Sequence, residues 1–375
     1  MATFVGSACS AAAQPAPDAP APALSAGGGW SVAWTATLPG PAQTQGATDA
    51  RGMYVPLRSG SVVALSLESG QVLWDAQAPA AVPPAADGER VFVAGPDVVD
   101  AISTRSGERL WRTPLAARPA VGLALSGATL LIGLASGDLQ ALDTTSGATR
   151  WQAALGAPLS VPPVAEGARV VVGLADGAVV ALEVADGRIA WRAAVPEAVS
   201  ALGAAGDRVF AGSLDNFLYA LQADNGRLLW RWRTGGDVIG VPTTDAARVY
   251  FVSLDNVLRA LDRGHGAQRW KAALPTRPLG GPALLGDELL VSLVSTEVGI
   301  VNARDGKAKK PVPVEAEPAA SLLVVPGPPS PSPGPSFLLV TRDGRVRRFT
   351  RGAAAVPAAS APLATTPPAA TPVPR

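Results

Sequence analysis

The chain of 375 residues carries 31 Lys and Arg against 30 Asp and Glu, a formal net charge of +1. It therefore has no global field with which to attract nucleic acid or an anionic lipid surface. Charged residues make up only 16% of it, so repulsion gives little solubility and partner-covered surface patches are to be expected. One histidine and one cysteine exclude an internal disulfide and a zinc site built from several His or Cys, and they leave Ser-His and Cys-His nucleophilic chemistry without its residues.

Residues 1–29 open with "MATFVGSACS" and continue as an Ala/Pro-rich stretch, a low-complexity tether rather than a folded element. "WSVAWTATLP" follows from Trp30, strand-like and with no companion hairpin before it. From here the chain repeats. Trp34, Trp74, Trp111, Trp151, Trp191, Trp230 and Trp270 are spaced by 40, 37, 40, 40, 39 and 40 residues, and only Trp30 and Trp232 fall off this ladder. Four residues before each Trp from Trp74 onward stands a glycine: Gly70, Gly107, Gly147, Gly187, Gly226 and Gly266. Ten residues before each of the same six Trp stands an alanine: Ala64, Ala101, Ala141, Ala181, Ala220 and Ala260. Self-similarity at such a period is the signature of a repeat architecture.

Each copy reads as short strands. In "GARVVVGLADGAVVALEVADGRIAWRAAV" (Gly167 to Val195), two Asp-Gly turns separate three apolar runs, and "LSVPPVA" before them supplies a short inner strand with proline where a missing N–H is tolerated. No segment holds a helical period. Four short strands in about 40 residues make one propeller blade.

Towards the end the pattern loosens. "GIVNARDGKAKK" keeps Gly306 but has Ile300 in place of Ala and Lys310 in place of Trp. "PGPPSPSPGPS" (Pro326 to Ser336) reads as an insertion in a hairpin loop. "TRDGRVRRFT" (Thr341 to Thr350) aligns with "LADGAVVALE" but has no Trp strand after it. The orphan strand at Trp30 supplies the missing piece. The expected fold is thus all-β, an eight-bladed propeller of four-stranded antiparallel blades over residues 30–352, closed by the N-terminal strand in the last blade and monomeric. Residues 1–29 and 353–375 flank it as tether and tail. Each repeat Trp is expected to pack between blades over its Ala, with the Gly providing a positive-φ turn.

The pattern Ala-x(5)-Gly-x(3)-Trp, in "ALDTTSGATRW" and "ALQADNGRLLW", resembles the pyrroloquinoline-quinone-type propeller repeat over nearly the whole chain from Trp30 to Gly352. That repeat serves quinone dehydrogenases and non-enzymatic proteins alike. Length, blade number and N-terminus are most similar to the lipoprotein scaffolds of the outer-membrane β-barrel assembly machinery. The resemblance implies a periplasmic protein tethered to the outer membrane through lipid on Cys9, its lone cysteine among small residues, touching the membrane by that lipid alone. It also implies a protein partner, the central subunit of that machinery, and no cofactor, catalytic residue or metal. Two alternatives stand beside it: a quinone-dependent oxidoreductase, which implies a longer chain, a Ca²⁺ site and in several members a vicinal Cys pair, and a periplasmic propeller that senses an unrelated ligand.

Candidate sites are few. His265 lies in the Gly-flanked turn "RGHGAQ", and Asp176, Asp215, Asp255 and Asp343 recur at one hairpin position, where Asp bonds its own backbone. The basic runs "KAKK" and "RVRR" read as solvated strand faces. Two lead-in loops break the Ala/Pro pattern in consecutive blades, "PEAVSAL" and "TGGDVIG". From their position in the resembled scaffolds, Val199, Leu202, Asp237 and Ile239 are nominated as partner-binding residues. An Arg that the resemblance places in the first of these loops is absent.

Overall fold

A computed structural model describes residues 29–325 and 335–351. The expected tether up to residue 28, with Cys9, the tail, and the insertion up to residue 334 lie outside the described residues, while Ser336, counted in the insertion, opens a strand and is buried. The rest is all-β: eight four-stranded antiparallel sheets, seven of them consecutive in the chain. Blades 1 to 7 cover residues 47–77, 85–114, 124–154, 164–194, 199–233, 238–273 and 283–313. Blade 8 joins Leu323–Val325, Ser336–Val340 and Arg345–Arg351 to the N-terminal strand Trp30–Thr37. Trp30 pairs with Arg351 and Thr37 with Arg345, with a bulge between Val32 and Trp34. A closed ring leaves no open edge between first and last blades.

The middle strands are buried on both faces, as in Thr129–Gly133 and Ala178–Glu183, which is why they read as unbroken apolar runs. The outer strands alternate, as in Thr149–Ala154, with one side facing solvent. Each repeat Ala faces its Trp across the ladder, Ala141 against Trp151 and Ala181 against Trp191. These alanines are fully buried. A register shift follows each pair, so that the outer strand bends there.

The Trp reaches beyond its own blade. Trp151 Nε1 donates to Val184 O of the next blade at 2.8 Å. The same bond recurs from Trp34 to Leu67 O, Trp74 to Thr104 O, Trp111 to Thr144 O, Trp191 to Ala223 O, Trp230 to Arg263 O and Trp270 to Ala303 O, all between 2.7 and 3.2 Å. The indole covers the repeat glycine of that next blade. A Cβ on Gly187 would stand 2.5 Å from Trp151 Cε3, and one on Gly147 would stand 2.6 Å from Trp111 Cε3. The glycine thus has two reasons to lack a side chain, a φ near +72° and an indole from the preceding blade.

At the seam between blades 7 and 8 the Trp latch is absent, since Lys310 replaces it. An ionic clasp stands there instead. Glu288, buried in blade 7, accepts from Lys309 Nζ at 2.8 Å, Arg351 Nη2 at 3.0 Å and Trp30 Nε1 at 3.2 Å. Trp30, Phe337 and Phe349 pack beside it. The N-terminal strand therefore secures both adjoining seams, Trp30 to blade 7 and Trp34 to blade 1. The basic runs are not plain solvated faces. Arg347 is buried, donating to Val314 O and Glu315, and Arg348 donates to Leu67 O. Burial lowers the pKa of Arg348. Ring closure consumes these charges.

Candidate functional site

One face of the ring carries the loops that lead into each inner strand and the hairpins between the two middle strands. In most blades prolines or glycines interrupt the inner strand, which is two or three residues long and preceded by a single bridge, such as Leu159 with Leu174. Blades 5 and 6 differ. Their inner strands are longer, Val199–Ala205 and Val238–Thr244: in blade 5 "SALGA" replaces "SVPPV" and restores the N–H groups that proline lacks, while blade 6 has "IGVPT", keeps Pro242 and departs from its ladder between Ile239 and Thr243. The lead-in loops there shrink to 195–198 and 234–237.

This register revises two nominated residues. Val199 is 1% exposed and packs on Gly173, and Leu202 is 2% exposed and faces the ring axis. Both are core: Val199 occupies the same buried column as Leu159 of blade 4, which packs on Gly133 in the same way, and Leu202 lies within the longer inner strand of blade 5. Ile239 is half-buried against the cluster around Tyr250 and Val252. Asp237 stays at the face, half-exposed, and its carboxylate has no partner among the described residues.

The loop bearing Asp237 is held from both sides. Thr234 Oγ1 donates to Asn216 O of the blade 5 hairpin at 2.9 Å, and Gly235 N donates to Asp255 of the blade 6 hairpin at 3.1 Å. Asp255 also pairs with Arg259. Burial pushes the Asp255 carboxyl up, but hydrogen bonds from Arg259 and Ser253 outweigh it and leave the pKa at about 2. Tyr219 donates to Asp215 in the neighbouring hairpin, and burial followed by that bond pushes its pKa up to about 12. The hairpin aspartates hold backbone: Asp176, Asp215 and Asp255 accept from Ala178 N, Phe217 N and Val257 N. His265 is an exposed turn residue beside Asp262. None of this assembles an acid-base pair.

The feature that sequence reasoning missed is an apolar arc. The tip of the middle hairpin carries Leu214, Leu254 and Val294 in blades 5, 6 and 7, spaced 40 apart, where other blades place Arg58, Ala135, Ala175 or Arg342. Leu214 is 49% exposed and Val294 38%, and Leu254 is half-buried. Each is pinned by its own N–H: Leu214 to Ala198 O, Leu254 to Asp237 O, Val294 to Arg277 O, at 2.9 to 3.0 Å. Asp237 and Arg277 therefore flank the arc. Its signal was visible as a period-40 departure at a single column.

The axis itself holds a cavity of about 420 Å³ lined mainly by Val, Pro, Leu, Gly and Ser, with no charged side chain. The quinone of this repeat's enzymes is a tricarboxylate, and neutral walls do not fit it. Among the described residues no three His, Cys, Asp or Glu side chains gather as a metal site.

The fold is that of a pyrroloquinoline-quinone-type propeller, and one of its faces carries a partly apolar arc. The chain belongs to the family described as outer membrane protein assembly factor BamB, whose profile matches residues 95–203 and 196–324. The crystal structure of BamB from Moraxella catarrhalis is similar at 23% identity and a TM-score of 0.71, over 85% of this chain and 97% of that one. The computationally designed Ika8 protein matches at 16% identity and a TM-score of 0.69, over 84% and 98%. Quinohemoprotein alcohol dehydrogenase from Comamonas testosteroni matches at 11% and 0.70, over 86% and 76%. These structural likenesses speak to the fold alone. No curated protein matches the chain.

Proposed function

We propose that the protein is a non-enzymatic docking scaffold that supports the assembly of β-barrel proteins into the outer membrane. It works in the periplasm on a lipid tether at Cys9, and its partner is the central subunit of the assembly machinery. The observation that carries this reading is the arc of Leu214, Leu254 and Val294 on one rigid face, flanked by Asp237 and Arg277. Apolar anchors rimmed by opposite charges suit a small protein interface. Family membership supports the choice of partner.

The test is co-purification in gentle detergent with the central subunit, followed by Leu214→Glu and Leu254→Glu together. A loss of affinity of about tenfold or more, roughly 1.4 kcal/mol, with unchanged melting is expected. Failure to recover the subunit with the parent protein, or full binding by the double variant, refutes the reading. Mass analysis of the Cys9 peptide tests the tether separately.

A further inference from the structure

The inner strands do not line the axis evenly. In blade 6, Val238 and Ile239 pair with Ser253 and Val252, and pairing resumes only at Thr243 with Tyr250. The strand advances four residues while its partner retreats two, so Gly240, Val241 and Pro242 bulge from the ladder. The bulge is pressed against blade 7. A Cβ on Gly240, whose φ is +67°, would stand 1.8 Å from Gly281 N, and one on Gly281 would stand 2.2 Å from Val241 O. Glycine on both sides permits this approach. Its consequence is Val241, 56% exposed yet aimed into the axial cavity. Bulges that re-aim a side chain are over-represented beside binding and active sites.

From this we infer that the axial cavity binds a neutral, mostly apolar small molecule carrying one hydrogen-bond donor. Its volume of about 420 Å³ falls in the range of small-molecule sites. Val161, Pro162, Leu202, Val241 and Leu322 supply apolar walls. A charged ligand would lose its hydration with no counter-charge to meet it. The hydroxyl protons present are already used, Ser200 Oγ donating to Val238 O and Ser321 Oγ to Leu279 O, so the walls offer acceptors rather than hydroxyl donors. Gln45 Nε2 donates to Ser321 O at 3.1 Å. Its Oε1 has no partner among the described residues and is the acceptor for the ligand's donor. The site is separate from the arc on the face, so either can fail without the other.

The probe is N-phenyl-1-naphthylamine, neutral, apolar and bearing one N–H, titrated by its fluorescence into the full-length chain with Cys9→Ser to avoid detergent. Saturable binding at one site per chain is expected. Val241→Glu should weaken it at least tenfold without changing the melting temperature, because Val241 is not core. Val72→Glu, at an equally exposed apolar residue on the outer rim, should leave it unchanged. Absence of saturable binding, full binding by Val241→Glu, or equal losses in both variants overturns the inference. So does a Val241→Glu chain that binds the probe like the parent but loses its protein partner, which would make the cavity part of the docking surface.

Discussion

The Trp-Gly seam yields a test that separates shape from backbone conformation. Gly187→Ala introduces a methyl at 2.5 Å from Trp151 Cε3, on a residue with φ +72°. Two costs combine: about 1–2 kcal/mol for a left-handed alanine and about 1–3 kcal/mol for overpacking against the indole. The variant should therefore lose roughly 2–5 kcal/mol. Gly127→Ala is the control, since Gly127 also has positive φ, +53°, but has nothing within 4 Å of its Cβ. It should lose only the conformational part, about 1–2 kcal/mol. Removing the indole by Trp151→Ala costs about 3–5 kcal/mol by itself, and in that background Gly187→Ala should cost no more than the control. The coupling between the two sites is then roughly 1–3 kcal/mol. Urea unfolding followed by far-ultraviolet circular dichroism on all four chains and the double variant provides the measurement. If Gly187→Ala and Gly127→Ala are equally costly in the parent, or the double variant is additive, the seam does not work by indole-on-glycine packing.

Glu288→Ala removes the buried carboxylate of the clasp, while Lys309 and Arg351 stay partly exposed and keep Asp287 at 3.7 and 3.8 Å, so unfolding by urea should show a loss of about 1–3 kcal/mol; no measurable loss would mean the clasp contributes nothing at the seam lacking Trp. Asp255 has its pKa lowered to about 2 in the fold, so its contribution is complete above its unfolded value near pH 4 and disappears as pH falls through about 2. That contribution is roughly 2 kcal/mol, and Asp255→Asn should flatten the melting-temperature profile between about pH 4 and 2; an unchanged profile refutes the pairing with Arg259. On the contact face, Asp237→Lys should slow association with the partner and change its salt dependence while leaving stability unaltered; stopped-flow rates identical to the parent's would remove Asp237 from the interface.

Much of the fold was legible because propeller strands lie on a fixed period. The Trp ladder, the Ala column and the orphan strand at Trp30 together specify eight blades and their closure. Docking residues were harder to read, since a lead-in loop and an inner strand look alike in composition. Whether Val199 and Leu202 are surface or core depends on where the strand begins. Val199 falls in the buried column that Leu159 fills in blade 4, and Leu202 becomes part of a strand because blade 5 lacks the prolines that blade 4 has at Pro162 and Pro163. The arc was recoverable from the hairpin column, but only by asking which blades depart from Ala and Arg rather than which loops look unusual.

The seventh copy shows why the repeat is better understood as a seam than as a blade. It keeps Gly306 while replacing the Trp by Lys310. Within one blade that combination has no logic, because there the glycine would serve only the strand that follows it. Across the seam it does: Trp270 of blade 6 donates to Ala303 O and covers Gly306, so the glycine answers to its predecessor. Lys310 would have to latch onto blade 8, whose outer strand comes from the other end of the chain and carries no matching turn. Among the described residues no repeat glycine of blade 8 receives an indole, and the seam is held by Glu288, Lys309, Arg351 and Trp30. Sequence columns that travel together in such a repeat therefore need not belong to one structural unit.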